Sequence, residues 1–312
     1  MSPSPVSVLL DGRSFLEAPR WHEGRLWVSD QYLGEVLAVD PETGDAEVMA
    51  RLDGGHPAGL GWLPDGRLLV VSMIDRQLLR QEPGGELVVH ADLSGYCGGS
   101  LNELVVDAQG RAYAGNFGFD LMSGEASKPT VLVRIDPDGT TSVAAKDLNF
   151  PNGTVIIPRG EAGSTQAAGG PSDVVATLVL AETFDSRLTA FDVTGDGTLS
   201  RPRLWADLSG GAGRVAELPA DDRPAATDGI CVDAEGAIWV ADAYHSRVLR
   251  VREGGEVVDE VPTGDEGTYA CALGGADGRT LFICTARSFL DSERAATREA
   301  RVLTSRVDVP AA

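Results

Sequence analysis

A unit of roughly 40 to 45 residues recurs along this chain and dictates most of what it can fold into. Each copy is a turn residue, an apolar strand, a glycine-bearing hairpin and a second apolar strand. The copies read EAPRWHEGRLWVSD from Glu17, AGLGWLPDGRLLVVS from Ala58, NELVVDAQGRAYAGN from Asn102, DGICVDAEGAIWVAD from Asp228 and ACALGGADGRTLFICT from Ala270. Another begins at Asn152 as NGTVIIP, breaks at the Gly/Ala/Ser-rich stretch Arg159 to Ser172, and resumes as TLVLAET. Turns such as Pro64-Asp65-Gly66 and Asp107-Ala108-Gln109-Gly110 carry hairpin chemistry. Two more strand signals follow a unit, as VLAVD and AEVMA do after the first. The unit starts are 41, 44, 50, 76 and 42 residues apart. The longest interval holds that Gly/Ala/Ser-rich stretch and the polar segment Ser209 to Ala226, both expected to be surface insertions. Four strands per repeat is the period of a propeller blade, and short apolar runs between turns argue against a helical solenoid. Glycine, at 38 of 312 residues, exceeds the roughly 7% of an average protein, as many tight turns require. The expectation is an all-β chain: one six-bladed β-propeller domain, residues 1–312, with four-stranded antiparallel blades.

Charge narrows the partners. With 26 Lys and Arg against 47 Asp and Glu, the net charge is −21, which repels nucleic acid and anionic membranes. No apolar run approaches the length of a membrane span, and Met1 to Arg13 shows no secretory signal. Cys97, Cys231, Cys271 and Cys284 form no CxxC pair. Buried free thiols and a cytoplasmic location are therefore expected. The expected partner is a small molecule, and no oligomeric state is indicated.

The innermost strand of a blade lines the central channel, so the first residues of the six units should surround one mouth. They are Glu17, Ala58, Asn102, Asn152, Asp228 and Ala270. Asn152-Gly153 and Asp228-Gly229 are also turn dipeptides, yet alanine in two of the slots shows that the fold does not require a polar residue there. Two carboxylates and two amides on one axis call for a cation. All-oxygen ligands favour Ca²⁺, Mg²⁺ or Mn²⁺, with Zn²⁺ also open.

EAPRW (Glu17 to Trp21), LNELVVDAQGRAYAGN (Leu101 to Asn116), FPNGTVI (Phe150 to Ile156) and TDGICVDAEGAIWVA (Thr227 to Ala241) together resemble the senescence-marker-protein/gluconolactonase/luciferin-regenerating family of six-bladed propellers. The resemblance covers nearly the whole chain. It implies a divalent metal held by Glu17, Asn152 and Asp228, substrate bound by Asn102, and Asp228 as candidate general base. The implied activity is metal-dependent hydrolysis of a lactone or ester.

Two departures bear on the substrate. Sugar-lactone members carry an arginine where this chain has Ser100, and the more common aspartate after the asparagine is here Glu103. Serine cannot replace the forked donors that an arginine offers to polyol oxygens. Phe117, Phe119, Leu121 and Met122 follow in one mouth loop and Tyr244 in another, so a substrate less polar than gluconolactone is expected. His56 and His245 sit near the mouth as candidate proton carriers, and Ser100, Glu103, Phe117, His56, Tyr244 and His245 join Asn102 as candidate substrate contacts. No GxSxG nucleophile elbow occurs. A metal-stabilised binding propeller without chemistry, and a phosphotriesterase-like hydrolase, are the competing readings.

Overall fold

The computed structural model describes residues 5–159, 173–211 and 223–312. Most of the two expected insertions, Arg159–Ser172 and Ser209–Ala226, lies outside the described residues. Six four-stranded antiparallel sheets form the blades of a propeller. Their innermost strands are Leu16–His22, Pro57–Trp62, Leu101–Val106, Pro151–Pro158, Thr227–Val232 and Gly267–Gly274. In the first five blades the three following strands come next in the chain. The sixth differs. Its outermost strand is Ser7–Arg13, paired antiparallel with Ala300–Arg306, so what reads as a short N-terminal tail closes the ring. Arg13 ties that closure to the first blade through Asp30, 2.7 Å away, and Glu35.

Alternation along each strand explains the core. Side chains at successive positions face opposite sides of a sheet, and here both sides meet a neighbouring blade. Leu26 and Val28 pack with Phe282 and Cys284 of the sixth blade. Trp27, between them in sequence, packs with Leu60, Leu68 and Val70 of the second. Apolar clusters of this kind fill all six blade–blade interfaces. Burial on both faces accounts for continuous apolar runs such as LLVVS and IWVAD, which alternation on one face would not produce.

Glycine lets the innermost strands approach one another near the axis. A Cβ on Gly153 would stand 2.5 Å from both the Asp228 carbonyl oxygen and the Ile230 nitrogen, and one on Gly59 would stand 2.4 Å from the Leu104 nitrogen. Backbone cannot yield as a flexible side chain can. Gly153→Ala should therefore lower unfolding stability by about 1–3 kcal/mol. Gly84→Ala, where nothing lies within 4 Å of the added carbon, should leave stability within about 1 kcal/mol or raise it. Urea denaturation of both variants checks this, and equal midpoints would contradict it.

Candidate functional site

A repeated backbone bond marks the mouth end of each blade. The amide following the second strand donates to the carbonyl preceding the innermost one: Gln31 to Phe15, Met73 to His56, Phe117 to Ser100, Thr183 to Phe150 and Ala243 to Ala226. Two residues beyond each acceptor stand Glu17, Ala58, Asn102, Asn152 and Asp228. In the sixth blade Gly267 pairs with Ala286 in the same role. That puts Tyr269 in the sixth slot, one residue ahead of Ala270, which corrects the sequence alignment there. Beside these slots the pairing of the innermost strand slips in every blade: between Glu17 and Arg20, Pro57 and Leu60, Leu101 and Leu104, Pro151 and Thr154, Thr227 and Ile230, and Thr268 and Ala270. Such irregularities re-aim side chains.

A cavity of about 140 Å³ opens at this mouth. Of the residues singled out in the sequence, Glu17, His56, Ser100, Asn102, Phe117, Asn152 and Tyr244 line it. Asp228 is absent from the lining but is 92% buried and bonded to the Asn152 amide. Glu103 points elsewhere, to the Arg20 guanidinium, which also donates to the Leu104 carbonyl at 2.9 Å. His245 is held 2.8 Å from Asp242, where Arg247 also bonds, and lies off the lining.

The rest of the wall is mostly apolar. Phe117 stacks on Phe150 at 4.4 Å between ring centres, and Phe150 continues to Phe184 at 4.9 Å. Phe15, Tyr32, Met73, Leu121, Met122 and Phe289 complete much of it. Several of these escaped sequence reasoning. Phe150 opens the FPNGTVI motif and Phe184 follows the TLVLAET strand, so their position was the available signal. Phe289 and Asp291 come from the segment before the closing strand pair, which matches no repeat. Asp291 accepts a hydrogen bond from the Tyr32 hydroxyl, and the Tyr32 ring meets His56 edge-on at 4.8 Å. Burial lowers the pKa of His56, opposed by the charge of Asp291. Thr183, at the end of the TLVLAET run, accepts from the Asn152 amide at 3.2 Å and donates to the Thr227 carbonyl at 2.8 Å, fixing that amide's orientation.

Electrostatics concentrate at the floor. Burial pushes the Glu17 carboxyl well above the usual carboxylate range, and the charges of Asp228 and Glu103 push it further. Burial does the same to Asp228, with Glu103 adding, while hydrogen bonds from Asn152 and the Gly229 backbone act in the opposite sense. Repulsion of this kind is relieved by protons or by a cation. The Asn102 amide nitrogen is buried with no acceptor, as expected of a donor kept for a ligand. Among the described residues no group of three or more His, Cys, Asp and Glu side chains could hold a metal ion by itself. A hard cation here would need the Asn152 amide oxygen beside the two carboxylates, and such a donor set suits Ca²⁺, Mg²⁺ or Mn²⁺.

Known proteins share the architecture. A luciferin-regenerating enzyme superposes with a TM-score of 0.78 at 15% identity, covering 99% of this chain and 97% of that one. Regucalcin from Agrobacterium tumefaciens, described as a calcium-binding protein, gives 0.75 at 21% identity, covering 99% and 96%. These likenesses show the fold. In sequence, the chain is 28% identical over 212 residues to a 6-deoxy-6-sulfogluconolactonase of Pseudomonas putida, a match spanning 67% of this chain and 62% of that protein. The family model described as the SMP-30/gluconolactonase/LRE-like region matches residues 15–287. The chain belongs to that family.

Proposed function

We propose that this chain is a divalent-metal-dependent hydrolase of lactones or esters less polar than gluconolactone. The observation that carries the reading is a pair of buried carboxylates, Glu17 in the lining of a mainly apolar cavity and Asp228 behind it on the lining residue Asn152, with an unpartnered Asn102 amide nitrogen in the same wall. The lactonase named among the relatives supports lactone hydrolysis, and the calcium-binding regucalcin neighbour supports a divalent ion.

Glu17, Asn152 and Asp228 would hold the ion. Bound there, it supplies the positive charge that stabilises a developing oxyanion. The chain's own groups do the rest. The Asn102 Nδ2 donates to a substrate oxygen and fixes its orientation. Thr183 holds the Asn152 amide in one rotamer. The Asp228 carboxylate is assigned to take a proton from the attacking water as the ring C–O bond opens, and the leaving oxygen gains a proton in turn. His56 stands on the wall as a second proton carrier.

Wall chemistry sets the substrate. A cavity of this size compares with the roughly 150 Å³ apolar cavity that admits benzene, so it takes one ring with a short substituent. Polyol hydroxyls would lose water against the phenylalanine stack without gaining partners. The described lining includes no lysine or arginine, so the sulfo group in the Pseudomonas putida relative's name would meet no cation there.

Chelator-stripped protein, re-supplied with single divalent ions, should hydrolyse alkyl or aryl lactones with kcat/KM about tenfold or more above gluconolactone. Asp228→Asn should abolish turnover. Faster turnover of polyhydroxylated lactones would refute the substrate class, and full activity after chelation would refute the metal.

The raised carboxyls also make the metal-free form pH-sensitive. Above the ordinary carboxylate pKa, about 4, the native state keeps protons that the unfolded state has released. Its stability therefore falls as pH rises toward the raised native values. His22, His56 and His90, whose pKa values burial lowers, contribute with the opposite sign. The comparison with Asp228→Asn isolates the carboxyl part. In chelator, the wild-type Tm should decline more steeply between about pH 5 and 8 than that of Asp228→Asn. Saturating Ca²⁺ should remove the difference in slope. Parallel melting curves in chelator would contradict the sign.

A further inference from the structure

The Glu103 carboxylate is absent from the cavity lining and turns to Arg20, yet its charge acts on both candidate metal ligands. It is 3% exposed and bonded to Arg20, and its charge is felt by Glu17 and by Asp228. Arg20 is the cation acting on Glu17. It lies three residues along the same innermost strand, past the slip in pairing, and its side chain reaches from the first blade to the third. The intervening second blade carries Gly59 and Gly61 at this level. A Cβ on either would strike the third blade's innermost strand, at the Leu104 nitrogen or the Val106 side chain.

An ion pair such as this, with Glu103 buried and Arg20 24% exposed, adds little stability relative to apolar replacements, so the charge itself is the informative quantity. Three carboxylates and one guanidinium sum to −2. Resting on the metal reading above, we propose that Arg20 is a charge-balancing element that offsets Glu103 and so leaves the candidate centre at −2, matched to a divalent cation. Arg20 and Glu103 act through the ligands as positioning residues. Glu103→Gln leaves Arg20 unneutralised and the centre at −1. Arg20→Met leaves it at −3. The double variant returns it to −2 with neither member present.

Calorimetric titration of chelator-stripped protein with Ca²⁺ alone reads this directly, with circular dichroism verifying that each variant folds. Glu103→Gln, nearly isosteric and still able to accept from Arg20, should weaken the Kd by about tenfold or more. Adding Arg20→Met to it should restore the Kd to within about threefold of wild type, and Arg20→Met alone should bind at least as tightly. A merely structural pair predicts that both single variants bind more weakly and the double variant binds weakest, which would overturn the proposal. If the double variant does not fold, Arg20→Met decides alone, because weaker binding there contradicts the charge count. Wild-type protein that takes up no Ca²⁺ or Mn²⁺ sinks the metal reading itself, a result distinct from either pattern.

Discussion

Like charges held together out of water are the constraint on which the mouth of this propeller turns. Glu17, Glu103 and Asp228 are each at least nine-tenths buried, and the charge of Glu103 raises the proton affinity of both Glu17 and Asp228. A protein keeps such a cluster only if something offsets it. Arg20 neutralises one carboxylate. The remaining pair takes either protons or a cation, and at neutral pH an ion with two charges answers the need with the fewest groups.

The ring of blades makes that cluster possible. Residues of one carboxylate pair come from the first and fifth blades, more than two hundred positions apart in the chain, and packing of six blade–blade interfaces holds them. The slip in pairing beside every slot turns the residue there out of the regular sheet pattern. Position is thus set by the rigid innermost strands. The loops supply the wall, where Phe117, Phe184, Tyr244 and Phe289 project from different blades.

Much of this was legible in the sequence, for physical reasons. The repeat reported itself through turn chemistry and strand length, and equivalent slots could be compared because each blade solves the same packing problem. Three features were not legible. Ser7–Arg13 closes the sixth blade by pairing with a strand almost three hundred residues away, and nothing local in its sequence states that partner. Tyr269 was not legible as the sixth slot because the glycine-rich hairpin let the alignment move by one. Glu103 and His245 were grouped with the substrate contacts by their neighbourhood in the chain. One turns to Arg20, the other to Asp242, because adjacent residues on a strand point in opposite directions and a loop histidine takes the nearest carboxylate.

Under the proposed function, Glu17, Asn152 and Asp228 share one divalent ion. Crystals grown with Mn²⁺ and measured near the manganese absorption edge test it most directly. The account predicts a single strong anomalous peak at the channel floor, within bonding distance of both carboxylates and the Asn152 amide oxygen. An empty floor in metal-replete crystals, or a peak bound only by surface acids, would contradict it.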